Sequence, residues 1–348
     1  MQDPTALKHD GVLACYGAID KEAESLRNSA SGGVATALSR RVVDTDGVVY
    51  GCVASREDVH HERLSDLKGL GRAQGSKYVQ SDLSRVFGLI RGDLKAGRDV
   101  LFVGTPCQCA AIKSLFGKYS NLATVDLVCE GVPSRQMYAD FLDDLEDERG
   151  ERVKDFRFRD KRGGWSTKNA VVLGQDGRAL EKQPHSYYYY YYYWMFSKAL
   201  ILRDSCYGCP YACGRRTGDV TVGDLWGAET AGLGYGLVEL EAGISCALAN
   251  TELGRTMLKK AGLELKRCSL RTISRSNGCL EKPSSCDWDT RKRILTAYAE
   301  DRAAGMRREY ERTFTAKAKL RADVAANMPL PLRVALKRAK AIAKGGKR

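Results

Sequence analysis

The chain has little that breaks or repeats: 8 prolines in 348 residues, no internal repeat, and no low-complexity tract other than seven consecutive tyrosines, Tyr187–Tyr193. With 35 glycines and 28% charged residues besides, nothing pushes the composition toward a collagen-like or disordered protein. Long apolar runs are missing too. The longest uncharged apolar runs, around Gly47–Ala54 and Val100–Pro106, fall far short of the roughly 18 residues that cross a bilayer, so an integral membrane protein is excluded. Met1–Asp10 carries Asp3, Lys8, His9 and Asp10 and no apolar core, so no secretory signal is read there, and the expected location is the cytoplasm. A basic groove in the body is also lacking. Of the 13 net positive charges, 12 lie in Arg291–Arg348, where 17 Lys/Arg face 5 Asp/Glu. Nucleic acid is therefore not an expected partner.

What is present is ample core material, 43% hydrophobic residues, and 12 cysteines. In a cytoplasmic chain those thiols stay reduced, which points to metal or redox chemistry rather than a disulfide scaffold. Hydrophobic periodicity alternates strand and helix through the first 150 residues: strands at Gly47–Ser55, Asp99–Val103 and Leu122–Val128, helices at Gly33–Val43, Asp82–Lys95, Cys107–Phe116 and Ser134–Arg149. The expected fold is mixed α/β, a layered sheet with flanking helices. Val153–Arg159 and Asn169–Leu173 read as a β-rich insertion, Gly218–Leu225 and Gly243–Leu248 as strands, Asn250–Ala261 as a helix. The expected division is an α/β part at 1–150, a β-rich and cysteine-bearing part at 151–290, and a basic helical tail at 291–348. The tyrosine run leads into apolar Trp194–Leu202 and lacks basic flanks, so it reads as a packed aromatic helix rather than a base-stacking platform.

The cysteines fall into two groups. Cys15, Cys52, Cys246, Cys268, Cys279 and Cys286 are isolated and read as small buried hydrophobes. Cys206, Cys209 and Cys213 form a Cys-x2-Cys-x3-Cys run. Cys107 and Cys109 follow Gly104-Thr105-Pro106 at a strand-to-helix junction, and Cys129 ends the next strand. Two thiols from adjacent strand ends plus Cys206 and Cys209 make a four-thiolate set for a 4Fe-4S cluster, with zinc as the competing metal and Cys109 and Cys213 as spare candidates. Ser31-Gly32-Gly33 opens a helix and suits a phosphate. Gly75–Ser81 places Lys77 among hydroxyl residues, and Phe158–Trp165 adds Arg159 and Lys161 on a glycine-rich turn.

Together these segments resemble the beta-subunit family of coenzyme F420 hydrogenases and dehydrogenases. The resemblance runs from about Ala14 to Thr251, through Ser31–Leu38, Ser76–Ser81, Val103–Gln108, Asp126–Ser134, Phe158–Lys161 with Gly164-Trp165, Leu202–Cys209, Arg216–Gly227 and Gly243–Ser245. It implies an FAD-dependent iron-sulfur oxidoreductase, with electrons passing between a 4Fe-4S cluster, the flavin and a substrate or a coenzyme F420-like acceptor. It also implies Cys107, Cys129, Cys206 and Cys209 as cluster ligands, not Cys109 or Cys213. FAD is expected near Ser31, Gly32, Gly33, Lys77, Tyr78, Gln80, Thr105, Arg159 and Lys161. Many relatives begin with a two-cluster ferredoxin module, whereas Met1–Tyr16 holds one cysteine. Either a separate ferredoxin-type or hydrogenase/dehydrogenase electron partner is therefore implied, or a segment that this chain lacks. Where many bacterial relatives have a histidine, this chain has Glu130, the expected proton-transfer residue. An electron-transfer subunit without its own substrate site and a zinc-stabilised scaffold stand as the alternatives. Residues 331–348, basic with interspersed Leu332, Leu336 and Ile342, suit either peripheral contact with anionic lipid or a solvated tail.

Overall fold

The computed structural model describes residues 11–56, 58–181 and 185–345. The leader reading of Met1–Asp10 and the last two charges of the tail, Lys347 and Arg348, lie outside the described residues.

Eleven strands occur among the described residues: β1 (Ala14–Asp20), β2 (Val48–Ser55), β3 (Asp58–Leu64), β4 (Val100–Gly104), β5 (Leu122–Leu127), β6 (Val153–Asp160), β7 (Asn169–Gly174), β8 (His185–Ser186), β9 (Val220–Asp224), β10 (Ser245–Ala249) and β11 (Leu263–Cys268). Eight form one sheet in the order β11-β1-β10-β9-β5-β4-β2-β3. Its centre, β2-β4-β5-β9, is parallel, and antiparallel strands extend it on both sides. The apolar sequences of β4 and β10 fit burial on both faces, as a helix-covered sheet requires. β6, β7 and β8 make a separate antiparallel sheet. The fold is thus the mixed α/β class expected. The large sheet draws strands from both the 1–150 and the 151–290 ranges; the small sheet lies within 151–290.

β1, β3 and β11 were not legible in the sequence. β11, Leu-Glu-Leu-Lys-Arg-Cys, is half-polar because it is an edge strand. The helix expected over Asp82–Lys95 starts only at Phe87. Asp82 is drawn into pairing with β3 instead, its amide on Val59 O and its carbonyl on the His61 amide.

The tyrosine run packs as expected. A short 3-10 turn, Tyr187–Tyr189, leads into the helix Tyr191–Ser197. Its rings meet Tyr138, Phe141, Phe156 and Phe158 in one aromatic core, with Phe141 stacked on Tyr192 at 5.1 Å between centroids. The small sheet and the helix Arg135–Arg149 are joined there.

The tail is helical, as expected. Trp288–Thr313 breaks at Asp301–Arg302 and doubles back, bringing Arg293 beside Glu309. The helix Leu330–Gly345 is not a free solvated tail. Val334 is buried, Arg333 donates to Ser166 Oγ at 2.8 Å, and Lys337 pairs with Glu229 at 2.7 Å. Among the described residues, no helix is long and apolar enough to cross a membrane.

Candidate functional site

Parallel strands end on the same side, so β4 and β5 deliver their C-terminal loops to one edge of the sheet. Thr105 and Gln108 cap the helix Pro106–Phe116, and Cys107 sits exposed in its first turn. Cys129 lies two residues beyond β5. Arg216 holds that strand end, donating to Leu127 O at 3.0 Å and pairing with Asp126. The Cys206 segment is stitched to the same place: the Arg203 amide donates to Val132 O at 2.9 Å, and the Arg203 side chain donates to Gln80 Oε1. Gly131 makes the approach possible. It has φ +118°, and a Cβ there would lie 2.8 Å from Leu202 Cδ1 and 3.0 Å from Cys206 Cβ.

Burial drives the Cys129 thiol well above the ordinary range, and the nearby thiols of Cys107, Cys206 and Cys279 push it further. Cys206 is raised by burial and by Cys209 and Cys107. The segments carrying Cys107, Cys129 and Cys206–Cys209 thus approach one another, and their thiols act on one another's charge. Cys279 joins them, through a thiol 3.6 Å from Ser284 Oγ, which itself donates to Glu130 O at 2.6 Å. Spacing gave no sign of it, because it lies 70 residues beyond Cys209. The spare candidates face elsewhere: Cys109 is fully buried against Val125 O, and the Cys213 thiol turns back onto Pro210 O and Arg215 O. Among the described residues no group of three His, Cys, Asp or Glu side chains is placed to hold a metal ion. Four thiols, one for each iron of a cube, are the donor set a 4Fe-4S cluster takes.

The residues expected around FAD divide sharply. Ser31 Oγ donates to Ile244 O, and the Gly32 amide donates to Ser245 Oγ, both at 2.9 Å. A Cβ on Gly32 would fall 2.2 Å from Ala18 O, which is why the loop is glycine-rich. Lys161 Nζ donates to Leu26 O and Ser31 O at 2.5 and 2.6 Å. Burial, reinforced by Arg159, brings this lysine down to about 7. Lys161 thus braces the Ser31–Gly33 loop. Lys77 donates to the carbonyls of Ala73 and Gln74, at 2.7 and 2.8 Å, capping the helix Leu67–Ala73. Thr105 Oγ1 lies 3.1 Å from Cys107 Sγ. Gln80 ties its segment to the thiol loops through Arg203 and Pro133 O. Tyr78 stacks on Phe196 at 4.3 Å. Arg159, with a side chain 3% exposed, donates to Asp224 at 2.7 Å and lies over the Trp226 ring.

The sequence reading missed Lys168, Trp226 and Asp224 beside Arg159. Trp226 stacks on Trp165 at 4.7 Å between centroids, 11° from parallel, and Lys168 Nζ lies 4.7 Å from the Trp226 centroid. The motif strings Gly164-Trp165 and Asp224-Leu225-Trp226 were visible, but nothing in either indicated that they meet. Glu130 is exposed, and its carboxylate acts on the charge of Lys168.

No curated protein matches this sequence. Among solved structures the chain is similar to one in the xenon-derivatised F420-reducing NiFe hydrogenase complex from Methanosarcina barkeri, at 17% identity and a TM-score of 0.49, over 91% of this chain and 97% of that one. Residues 97–275, just over half the chain, match the family model described as the C terminus of the coenzyme F420 hydrogenase/dehydrogenase beta subunit. The matched stretch runs from β4 through the helix after β11 and contains all four thiols at the sheet edge, and on that match the chain belongs to the beta-subunit family of coenzyme F420 hydrogenases and dehydrogenases.

Proposed function

We propose that the chain is an FAD-dependent iron-sulfur oxidoreductase, working with a separate electron-carrying partner and passing electrons between a 4Fe-4S cluster, the flavin and a substrate or F420-like acceptor. The observation that carries this reading is that the loops bearing Cys107, Cys129 and the Cys206–Cys209 segment converge at the edge where β4 and β5 end, with Gly131 letting Cys206 approach. A cluster moves single electrons and a flavin exchanges one or two, which is what couples a one-electron donor to a two-electron acceptor.

The chain's own residues would hold and order these groups. Cys107, Cys129, Cys206 and Cys209 would ligate the cluster. Gln80 and Arg203 would keep the loops of Cys129 and Cys206 at a constant separation, and Thr105 would place a hydroxyl on the Cys107 sulfur. Lys161 would keep the Ser31–Gly33 loop in shape at the start of the helix Val34–Val43, where backbone amides favour phosphate. Trp165 and Trp226 would form an apolar wall limiting water near Arg159. Glu130, at the surface beside Lys168, would hold the proton exchanged with substrate.

Anaerobic purification with iron, sulfide, zinc and FAD analysis tests the reading. Near four irons and one FAD per chain are expected, with Cys206→Ala losing iron and keeping flavin. Zinc without flavin would withdraw it. Glu130→Gln is expected to slow substrate reduction while leaving flavin reduction by the donor unchanged, and equal slowing of both would remove Glu130 from the proton path.

A further inference from the structure

Two cations stand beside Trp226, Arg159 buried and Lys168 half-buried. Arg159 is almost wholly buried, and its Nη1 is held by Asp224. Its Nη2 is also buried and finds no partner among the described residues. Lys168 has a left-handed backbone, φ +53°, a conformation that a side-chain-bearing residue keeps only where its surroundings impose it. That conformation lays its ammonium over Trp226, with Tyr187 on another side at 5.8 Å, and no acceptor among the described residues reaches it.

The local charge balance is positive. Asp224 is engaged by Arg159, Lys161 is spent on two carbonyls, and the charge of Glu130 on Lys168 is opposed by Arg159 and Lys198. Cations on an aromatic face with unfilled donors on the far side are arranged to take an anion: the ring supports the charges, and the anion supplies the missing acceptors.

We propose that Arg159 Nη2 and Lys168 Nζ, set against the half-exposed Trp226, form a receptor for an anionic group, a carboxylate or phosphate, carried by a ligand at the end of β9. The receptor does not depend on the electron-transfer reading; only the assignment of its anion rests on that reading, since the anion belongs either to the flavin's diphosphate or to the substrate.

The test is calorimetric titration of the full-length protein, flavin-free and FAD-loaded, with inorganic phosphate and with malonate, for the natural protein, Lys168→Met and Lys168→Arg. Methionine keeps the aliphatic stem and removes the charge, so the fold is preserved. Binding at one site is expected, weakened at least about tenfold in Lys168→Met and largely kept in Lys168→Arg. Binding that survives FAD loading assigns the anion to the substrate. Binding that disappears with FAD, together with a similar loss of FAD affinity in Lys168→Met, assigns it to the flavin's diphosphate. Anion binding unchanged in Lys168→Met, or no binding in any form with FAD affinity also unchanged, overturns the proposal. A protein that binds anions through Lys168 and takes up neither iron nor flavin would sink the redox reading and leave the receptor standing.

Discussion

Hydrogen bonds at single residues set the expected behaviour of the thiol edge. The Thr105 hydroxyl stands 3.1 Å from Cys107 Sγ, and a donor on a ligating sulfur stabilises the more reduced cluster. With the proposed cluster bound through Cys107, Thr105→Val is expected to shift its midpoint to a more negative potential in an EPR-monitored redox titration, and Thr105→Ser to restore it. A shift common to both variants would point to loop distortion instead. Behind Thr105, Gln108 Nε2 donates to Ser81 Oγ, which meets His61 Nδ1 at 3.1 Å, while His61 Nε2 meets Val103 O at 3.0 Å. His61 is buried, and desolvation lowers its pKa from 6.5 to about 4. The unfolded chain therefore takes up a proton between those values while the folded one does not, so stability falls as pH drops through that window. The loss from His61 alone approaches about 3 kcal/mol at pH 4. Urea unfolding across pH 4–7 should show a flatter profile for His61→Gln than for the natural protein, and parallel profiles would remove His61 as the source.

Among the elements, the aromatic helix and the Cys129–Ser134 loop carry distinct jobs. Tyr192 is completely buried, stacked on Phe141, with its hydroxyl on Tyr78 O at 2.9 Å. Tyr192→Ala should cost about 3–5 kcal/mol in denaturant unfolding, whereas Tyr192→Phe, which loses only the hydrogen bond, should cost about 1 kcal/mol. A small effect of the alanine variant would mean that the tyrosines do not hold the small sheet. The loop works through close approach. Gly131→Ala faces both a positive φ and a collision with Leu202 and Cys206, so a loss of about 1–3 kcal/mol is expected, together with reduced iron content on purification. Normal iron content in that variant would argue against Cys129 and Cys206 sharing one cluster.

At the scale of the whole molecule, the strand order places chemistry from distant parts of the chain on one edge. β4, β5 and β9 are parallel neighbours, so Thr105, Cys129 and Trp226, each just beyond its strand, emerge together. The small sheet brings Arg159 and Lys168 to that edge, and the helix Leu330–Gly345 closes over Ser166, next to Trp165. The tail is thus part of the packed body. Deleting 331–348 removes buried Val334 and the Lys337–Glu229 pair and should lower stability by about 2 kcal/mol, with increased solvent quenching of tryptophan fluorescence. An unchanged unfolding midpoint would return the segment to a solvated tail.

The amino-acid sequence by itself determined the alternation of strands and helices, the aromatic packing of the tyrosine run and the candidate status of Cys107, Cys129, Cys206 and Cys209, because apolar periodicity and short-range spacing are local properties. Lys77, Thr105 and Gln80 were visible as polar residues in recognisable motifs, but their partners are a helix end, a sulfur and an arginine 123 residues away. Cys279, Lys168 and Trp226 belong to the site only because sheet register and loop packing carry them there. Which donors are spent and which remain unfilled depends on contacts between residues far apart in the chain, and those exist only once the sheet has closed.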